Sequence, residues 1–269
     1  MKTQYFLIVC VGISLSRLSA NAQDTTWIDK DGQHTTPDKA LYYLTKVKSD
    51  QGWATTGHYL SGKTRMKGTY TDDSLEIAQG TFNWFDDMGN PSRICSFVQN
   101  RPEGSETFFY PSGRKKMTGS YSEGERDGEW VSYYPNGKMA GKATFAKGKE
   151  VSSLFFDMDG TPNKKIKSFF QAPEFPGGQA ALTKYLNKNI TYPDYSFKHN
   201  IQGTVIVEFK LTKDGLPTDF KVIQSVEKNL DGEAVNVIRQ MPEWQPFILG
   251  GIPTEHYIKQ PIVFTLHKP

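Results

Sequence analysis

The residues that most often carry chemistry are sparse in this sequence, and their spacing does not suit catalysis. The five histidines are scattered without the spacing of metal ligands. They are His34, His58, His199, His256 and His267. The sequence contains no His-Glu-x-x-His, no Gly-x-Ser-x-Gly and no phosphate-binding glycine loop. We therefore expect no enzyme activity, no cofactor and no bound metal.

Two short acidic segments and one cysteine are the remaining candidates for a reactive site. Asp-x-Asp-Gly occurs at residues 29–32 and 157–160. A calcium loop of the EF-hand type needs further oxygen ligands and a glutamate at its twelfth position, whereas Asp and Gly at this spacing are typical of turns. Cys95 lies among apolar neighbours, which predicts a small buried side chain and not a nucleophile.

The first 22 residues have the pattern of a secretory leader. Lys2 precedes an apolar run over residues 5–15, and Ala-Asn-Ala at residues 20–22 is a small-x-small cleavage site. The run is shorter than the roughly 20 residues that a spanning helix needs, so we expect cleavage. An uncleaved leader that anchors the chain in the inner membrane is the alternative. Either outcome implies export.

The exported chain has almost no net charge. Residues 1–22 contain two bases and no acid, so their removal lowers the net charge from +3 to +1, with 30 basic against 29 acidic residues. No basic run is present, which argues against nucleic acid as a partner. Cys10 leaves with the leader, so one cysteine remains and a disulfide framework is excluded.

A period of 24 residues runs through the middle of the chain. Glycines and aromatics recur at this step in four series: Gly80, Gly104 and Gly128; Gly89, Gly113 and Gly137; Phe97, Tyr121 and Phe145; and Tyr110 and Tyr134. Four coincident series predict a repeat architecture. Each unit has the length of one β-hairpin. Because a single hairpin is unstable alone, neighbouring units must stack.

Turn chemistry agrees with this hairpin repeat. Tyr-Pro-Ser-Gly at residues 110–113 and Tyr-Pro-Asn-Gly at residues 134–137 suit type I turns, because proline fixes φ at the second position. The polar stretch 122–127 supplies the opposite turn. These features resemble MORN-like repeats of the YwqK family over residues 53–165. The resemblance implies a binding or scaffolding module, and a spacer sheet without a ligand is the alternative.

After residue 171 the period stops and the pattern changes. Apolar side chains at helical spacing predict a helix over residues 179–190, and Tyr192-Pro193 ends it. Residues 203–211 alternate strictly between apolar and polar, which predicts a strand. Lys-Asp-Gly at residues 213–215 then predicts a hairpin that returns over residues 218–224.

A second helix and a last strand complete the C-terminal pattern. Apolar positions between residues 230 and 241 predict the helix, which Pro242 ends. Residues 255–266 predict the strand, in which Pro261 indicates a sheet edge or a bulge. The C-terminal part is thus an α+β domain of two helices on a three-stranded antiparallel sheet. The predicted organisation is a leader at 1–22, a mainly β hairpin-repeat domain at 23–170, and this domain at 171–269.

The C-terminal part resembles the C-terminal domain of TonB over residues 173–267. Seven short motifs occur in the order typical of that family. They are Phe-Pro-Gly-Gly-x-Ala-Ala-Leu from 175, Tyr-Pro at 192, Gly-x-Val-x-Val-x-Phe from 203, Asp-Gly at 214, Leu-Asp at 230, Met-Pro-x-Trp from 241, and Pro-Ile-Val-Phe-Thr-Leu from 261.

This resemblance implies docking of an outer-membrane receptor. In TonB-like proteins the domain adds a short receptor segment, the TonB box, to its sheet as an extra strand, and a free edge supplies the backbone groups. Carried over by position, the implied partner-binding residues are Tyr192, Pro193, His256, Tyr257, Ile258, Lys259, Gln260, Ile262, Val263, Phe264, Thr265 and Leu266. Tyr192-Pro193 could equally cap the helix, and Trp244 is expected in the core.

The chain departs from the family pattern on its N-terminal side. A folded repeat occupies the place of a membrane helix and a Pro-rich linker. Two functions therefore remain open. One is coupling of transmembrane transport, with an inner-membrane motor complex as a second partner if the leader stays uncleaved. The other is a soluble periplasmic adaptor or scaffold that binds protein partners and transmits no force.

Overall fold

The computed structural model describes residues 25–30 and 32–266. The leader and cleavage site expected at residues 1–22 lie outside the described residues. Within the described ranges, every helix is too short or too polar to cross a bilayer.

Where the structure describes the N-terminal half, it forms one antiparallel sheet of eleven strands. Each strand pairs with the strands before and after it in the sequence, so the sheet is an uninterrupted series of hairpins. This is the architecture that the 24-residue period predicts. A short 3-10 helix, Pro37–Lys39, lies between the first two strands. The strands are β1 Thr25–Ile28, β2 Tyr42–Ser49, β3 Gly52–Tyr59, β4 Thr64–Tyr70, β5 Ala78–Phe85, β6 Pro91–Val98, β7 Arg101–Phe109, β8 Lys115–Ser122, β9 Glu125–Tyr133, β10 Met139–Ala146 and β11 Lys149–Phe155.

The tyrosines of the repeated turns tie each hairpin to the next. The hydroxyl of Tyr110 donates to the carbonyl oxygen of Tyr133 at 2.7 Å, and the hydroxyl of Tyr134 donates to that of Phe156 at 2.9 Å. Gly113 and Gly137 close the two turns with positive φ. Tyrosine and glycine thus recur every 24 residues because both are used in the turn at the end of each hairpin.

Aromatic rings cover one face of this sheet by lying flat on glycine. The Phe82 ring covers Gly68, where a methyl group would lie 2.2 Å from the Phe82 Cδ1 atom. The Trp130 ring covers Gly119 in the same way, and the corresponding distance to Cδ2 is 2.0 Å. Only glycine leaves room for a ring this close to the backbone. Near the C-terminal end of the sheet, Phe169 and Phe170 also pack on this face, against Phe145 and Trp130.

One buried charge interrupts the row of rings. Phe82, Glu106 and Trp130 follow one another at the 24-residue step, so Glu106 takes the place of an aromatic. Its side chain is 1% exposed and accepts a hydrogen bond from Nε of Arg93 at 2.6 Å. The Arg93 guanidinium also lies over the Trp84 ring, at 4.5 Å from its centroid. A burial of this kind is tolerated because the carboxylate is paired.

The C-terminal half is an α+β unit attached through a small second sheet. Its three-stranded main sheet has the order β14-β13-β17, and a minor sheet has the order β12-β15-β16. The elements are β12 Phe170–Gln171, α1 Gly178–Asn189, α2 Asp194–Lys198, β13 Gly203–Leu211, β14 Pro217–Gln224, α3 Lys228–Arg239, β15 Phe247–Leu249, β16 Ile252–Thr254 and β17 His256–Phe264. The predicted fold class is confirmed.

The core of the C-terminal unit lies between the main sheet and the helices. The inward side chains of β13 are fully buried, as the alternation predicts, and they pack against the apolar side of α3. Trp244 is in this core and packs edge-to-face on Phe175 with ring centroids 5.5 Å apart. The buried residues include Val205, Val207, Phe209, Leu211, Leu230, Ala234, Ile238, Ile262 and Phe264.

The structure adds elements that the sequence patterns do not show. Helix α2 has five residues, and β15 and β16 have three each. Segments of this length contain too few turns or alternations to produce a periodic signal. The last strand also ends at Phe264, two residues before the predicted end.

A glycine turn joins the C-terminal unit to the repeat sheet. Gly250 and Gly251 connect β15 to β16, and the carbonyl oxygen of Gly250 accepts a hydrogen bond from the buried Ser132 hydroxyl. A methyl group at Gly251 would lie 2.4 Å from Cδ1 of Phe155. Trp84 and Phe108 precede Ser132 at the 24-residue step. The repeat therefore replaces its aromatic with serine where the turn docks.

Candidate functional site: the outer strand β17

Strand β17 is an outer strand of the main sheet. It pairs with β13 on one side, in nine consecutive pairs from Gly203–Phe264 to Leu211–His256 without a register shift. Among the described residues, no strand pairs with its other side. A regular, unpaired edge presents free amide and carbonyl groups at fixed spacing, which is what an added strand requires.

Side chains alternate along β17 between the core and solvent. Ile262 and Phe264 are buried in the core, and Ile258 packs against it. Tyr257 and Val263 point the other way and are each 58% exposed. Of the twelve residues implied as partner-binding, Ile262 and Phe264 offer no accessible side chain to a partner, because both are buried.

Pro261 determines which backbone groups face the free edge. Proline has no N–H, so in an uninterrupted antiparallel ladder it lies at a pair that is not hydrogen-bonded. Its carbonyl oxygen accepts a hydrogen bond from the side-chain amide of Gln260 at 3.0 Å, as expected for a group directed away from β13. Residues two positions apart share this direction, so the backbone groups of Tyr257, Lys259 and Val263 also face outward.

The opposite edge of the sheet is less suited to strand addition. Strand β14 pairs with β13 through two register shifts, and Asp219 within it has a φ of +51°. The carboxylate of Asp219 forms an ion pair with Nζ of Lys210 at 2.7 Å, and Lys221 adds a further charge. Bulges and charges of this kind protect an edge from pairing. The regular edge is therefore the one at β17.

Tyr192 and Pro193 lie beside the C-terminal end of β17. The Tyr192 ring packs edge-to-face on Phe264, with centroids 5.8 Å apart, and its hydroxyl donates to the carbonyl oxygen of Ile201. Burial raises the pKa of the Tyr192 hydroxyl. Pro193 immediately precedes α2, as an N-cap residue with φ of −63°. Tyr192-Pro193 thus fixes the chain beside the end of β17, and the Tyr192 hydroxyl already has a hydrogen-bond partner.

Helix α2 brings an exposed aromatic to this end of the strand, and the sequence analysis missed it. Phe197 is 59% exposed, and its ring lies 6.1 Å from that of Tyr192. An apolar ring that is exposed next to a free edge could contact the side chains of an added strand. The sequence signal available was a lone aromatic after Tyr192-Pro193, which does not distinguish an exposed ring from a buried one.

Two of the implied residues lie beyond the strand. Thr265 is exposed, and the amide of Leu266 donates to the side-chain oxygen of Gln202 at 2.8 Å. This bond holds the chain beside the start of β13 after the ladder has ended. The structure therefore brings together His256 through Phe264 as one edge, with Tyr192 at its end, and leaves Thr265 and Leu266 outside the pairing.

The charges at the other end of β17 form a small network. Nζ of Lys210 lies 2.7 Å from a carboxylate oxygen of Asp219 and 3.7 Å from one of Glu255. The hydrogen bond to Asp219 is the main cause that raises the pKa of Lys210, and Glu255 adds to it. In the described part of the chain, no group of three or more His, Cys, Asp or Glu side chains could hold a metal ion.

Solved structures with a distant likeness to this chain include two crystal structures. The crystal structure of TarM has 13% sequence identity and a TM-score of 0.27, and the match covers 40% of this chain and 21% of that one. The crystal structure of the GtfA/B complex bound to UDP and GlcNAc has 11% identity and a TM-score of 0.22, covering 51% and 26%. The matches thus take in about a quarter or a fifth of those chains' own length, and TM-scores this low carry no argument.

Family models match one segment in each half of the chain. A search of curated proteins finds no match. Residues 126–147 match the MORN repeat variant, and residues 188–266 match the C-terminal of the Gram-negative bacterial TonB protein. The repeat lies N-terminal to the TonB-like segment, as expected. The two resemblances drawn from the sequence are confirmed, with a MORN repeat variant at residues 126–147 and a TonB C-terminal region at residues 188–266.

Proposed function

We propose that the protein docks an extended segment of an outer-membrane receptor on the free edge of β17 in the periplasm, and so couples that receptor to transport across the envelope. The observation that carries this proposal is the regular outer strand, whose amides at Tyr257, Lys259 and Val263 face away from the sheet. The match of residues 188–266 to the TonB C-terminal supports a protein partner.

Strand addition explains why the binding residues need not be chemically specialised. Affinity comes from backbone hydrogen bonds, and side chains on alternate positions supply specificity. The exposed Tyr257 and Val263 would contact one side of the added strand, and Phe197 and Tyr192 the other at the strand end. The proposal assigns no catalytic step and no cofactor.

The test of this proposal removes one outward amide. Val263→Pro deletes one outward-facing N–H near the C-terminal end of β17. Val263→Thr keeps this N–H, and its side chain is branched at Cβ like that of valine. We expect the proline variant to bind receptor segments at least tenfold more weakly, and the threonine variant to bind like wild type. The measurement is fluorescence anisotropy with labelled synthetic peptides that cover the periplasm-facing N-terminal segments of outer-membrane receptors.

The outcome depends on both variants being folded. Circular dichroism and the thermal midpoint show whether the proline variant retains the sheet. Equal binding by a folded Val263→Pro protein would rule out docking on this edge, because the missing N–H lies where the added strand pairs. Loss of binding by Val263→Thr as well would indicate side-chain recognition instead of strand addition.

The glycine turn on the repeat sheet favours a second function, that of an adaptor. The hydrogen bond between Ser132 and Gly250 fixes the C-terminal unit to the repeats, so residues 23–170 and 171–269 would act as two attached parts that bring two partners together. Sequencing of the mature N-terminus with membrane fractionation separates the two functions. A soluble species that starts near Gln23 supports the adaptor, and intact Met1 in the inner-membrane fraction supports energy coupling.

A further inference from the structure

A cleft of about 480 Å³ lies between the hairpin ends of the repeat sheet and the C-terminal unit. Tyr110, Lys116 and Tyr134 line it from the repeat sheet, and Ile252 through Thr254 line it from β16. The two tyrosine rings are held in place, because their hydroxyls donate to the carbonyl oxygens of the following hairpins. The cleft therefore has fixed apolar walls.

Lys116 is the unusual group in this cleft. Its side chain is half-buried, and burial lowers the pKa of its ammonium. Its Nζ lies over the Tyr110 ring, 5.9 Å from the ring centroid. A cation that has lost part of its hydration without gaining a carboxylate is under-compensated, so an anion that enters the cleft would be bound more strongly than at an open surface.

The other charges of the cleft do not neutralise Lys116. Lys213 and Asp214 belong to the exposed turn between β13 and β14, where water screens them. Asp157 is also exposed, and one of its carboxylate oxygens accepts a hydrogen bond from the Asn163 amide at 2.7 Å. The half-buried Lys116 ammonium is therefore the charged group of this cleft that water screens least.

The cleft lies at the start of the docking strand. Thr254, which lines the cleft, is separated from His256, the first residue of β17, by Glu255 alone. Two residues of extended chain span about 7 Å. Strand β16 is also the outer strand of its own sheet. A segment that pairs with β17 and continues past His256 by two to four residues would thus extend toward this cleft.

We propose that the segment docked on β17 carries an aspartate or glutamate just beyond its paired part, and that Lys116 in this cleft binds the carboxylate. The inference rests on the proposed strand addition and names the chemistry that would distinguish one receptor segment from another. The tyrosine rings pack against the methylene groups of the acidic side chain, and Nζ of Lys116 donates the charge-assisted hydrogen bond.

The experiment uses two synthetic peptides and the full chain. Both peptides have the same central segment of alternating Thr and Val; one is flanked at both ends by three Glu residues and the other by three Gln residues. Flanks at both ends make the result independent of strand direction. Binding is measured at about 0.15 M salt, where exposed charges are largely screened. We expect the wild type to prefer the Glu peptide by about tenfold.

Lys116→Met should abolish this preference, and Lys115→Met should keep it, because Lys115 is exposed on the same strand and does not line the cleft. Val263→Pro should weaken both peptides. A Glu preference that survives in Lys116→Met, or equal binding of both peptides by the wild type, overturns the role of Lys116 and leaves strand addition standing. If neither peptide binds the wild type, strand addition on β17 fails and this inference fails with it.

Discussion

At the scale of single residues, glycine has two opposite roles in this chain. Gly119 lies beneath the Trp130 ring, and a methyl group there would lie 2.0 Å from the ring. Gly232 lies on the exposed side of α3, where a methyl group would meet no atom within 4 Å. The same chemical change therefore has opposite consequences at the two positions.

We expect Gly119→Ala to destabilise the fold and Gly232→Ala to stabilise it. The methyl group of Gly119→Ala displaces the Trp130 ring. Overpacking of this kind lowers the free energy of unfolding by about 1–3 kcal/mol. Gly232→Ala reduces the backbone entropy that the chain loses on folding, which raises the free energy of unfolding by about 0.5–1 kcal/mol. Chemical denaturation of both variants measures the difference. Destabilisation of similar size in both would contradict the packing role of Gly119.

A second residue-scale prediction concerns pH. Cys95 is buried as expected, and burial, with the nearby Glu106 carboxylate, raises the pKa of its thiol to about 11. As the pH rises past the ordinary thiol value, the unfolded chain releases this proton first, so deprotonation favours unfolding. The free energy of unfolding should therefore decrease between about pH 9 and pH 11.

Cys95→Ala is the control for this pH dependence. Alanine suits the site, because Cys95, Gly119 and Ala143 follow one another at the 24-residue step. The variant should lose stability less steeply over the same pH range in urea titrations. Some decrease should remain, since burial also raises the pKa of Tyr121 to about 12. An unchanged slope would show that the thiol does not contribute.

At the scale of elements, the hydrogen-bonding pattern of β17 predicts how fast each of its amides exchanges with solvent. The amides of Ile258, Gln260 and Ile262 bond to β13, whereas those of Tyr257, Lys259 and Val263 face outward. In hydrogen exchange followed by NMR, we expect slow exchange at the even positions and fast exchange at the odd ones. Addition of a docking peptide should slow the odd positions selectively. Slow exchange at the odd positions in the free protein would contradict the assignment of these amides to the free edge.

At the scale of the whole molecule, the glycine turn decides whether the two halves unfold together. Ser132→Phe restores the aromatic that the repeat has at Trp84 and Phe108, and the ring would occupy the place of Gly250. We expect calorimetry to resolve separate transitions for the repeat sheet and the C-terminal unit. Thr144→Phe adds the same ring at an exposed position of β10 and should leave the wild-type profile unchanged.

Local patterns along the sequence predicted most of the fold. The 24-residue step specified stacked hairpins, because a flat repeat buries its aromatics only against identical neighbours. Strict alternation over residues 203–211 placed four side chains of β13 in the core. Pro261 indicated an edge or a bulge, and the structure shows a regular edge. These features depend on residues close in sequence, whose periodicity survives without any tertiary context.

The tertiary structure decided what depends on residues far apart in sequence. Glu106 is an isolated charge in the sequence, and only packing shows that it is buried and paired with Arg93. Ser132 and Gly250 are 118 positions apart, and neither has a pattern that predicts their contact. The free edge of β17 and the cleft around Lys116 likewise arise from strand order and from the apposition of two units. Local sequence determines which side chains share a face, whereas only the folded chain determines what each face meets.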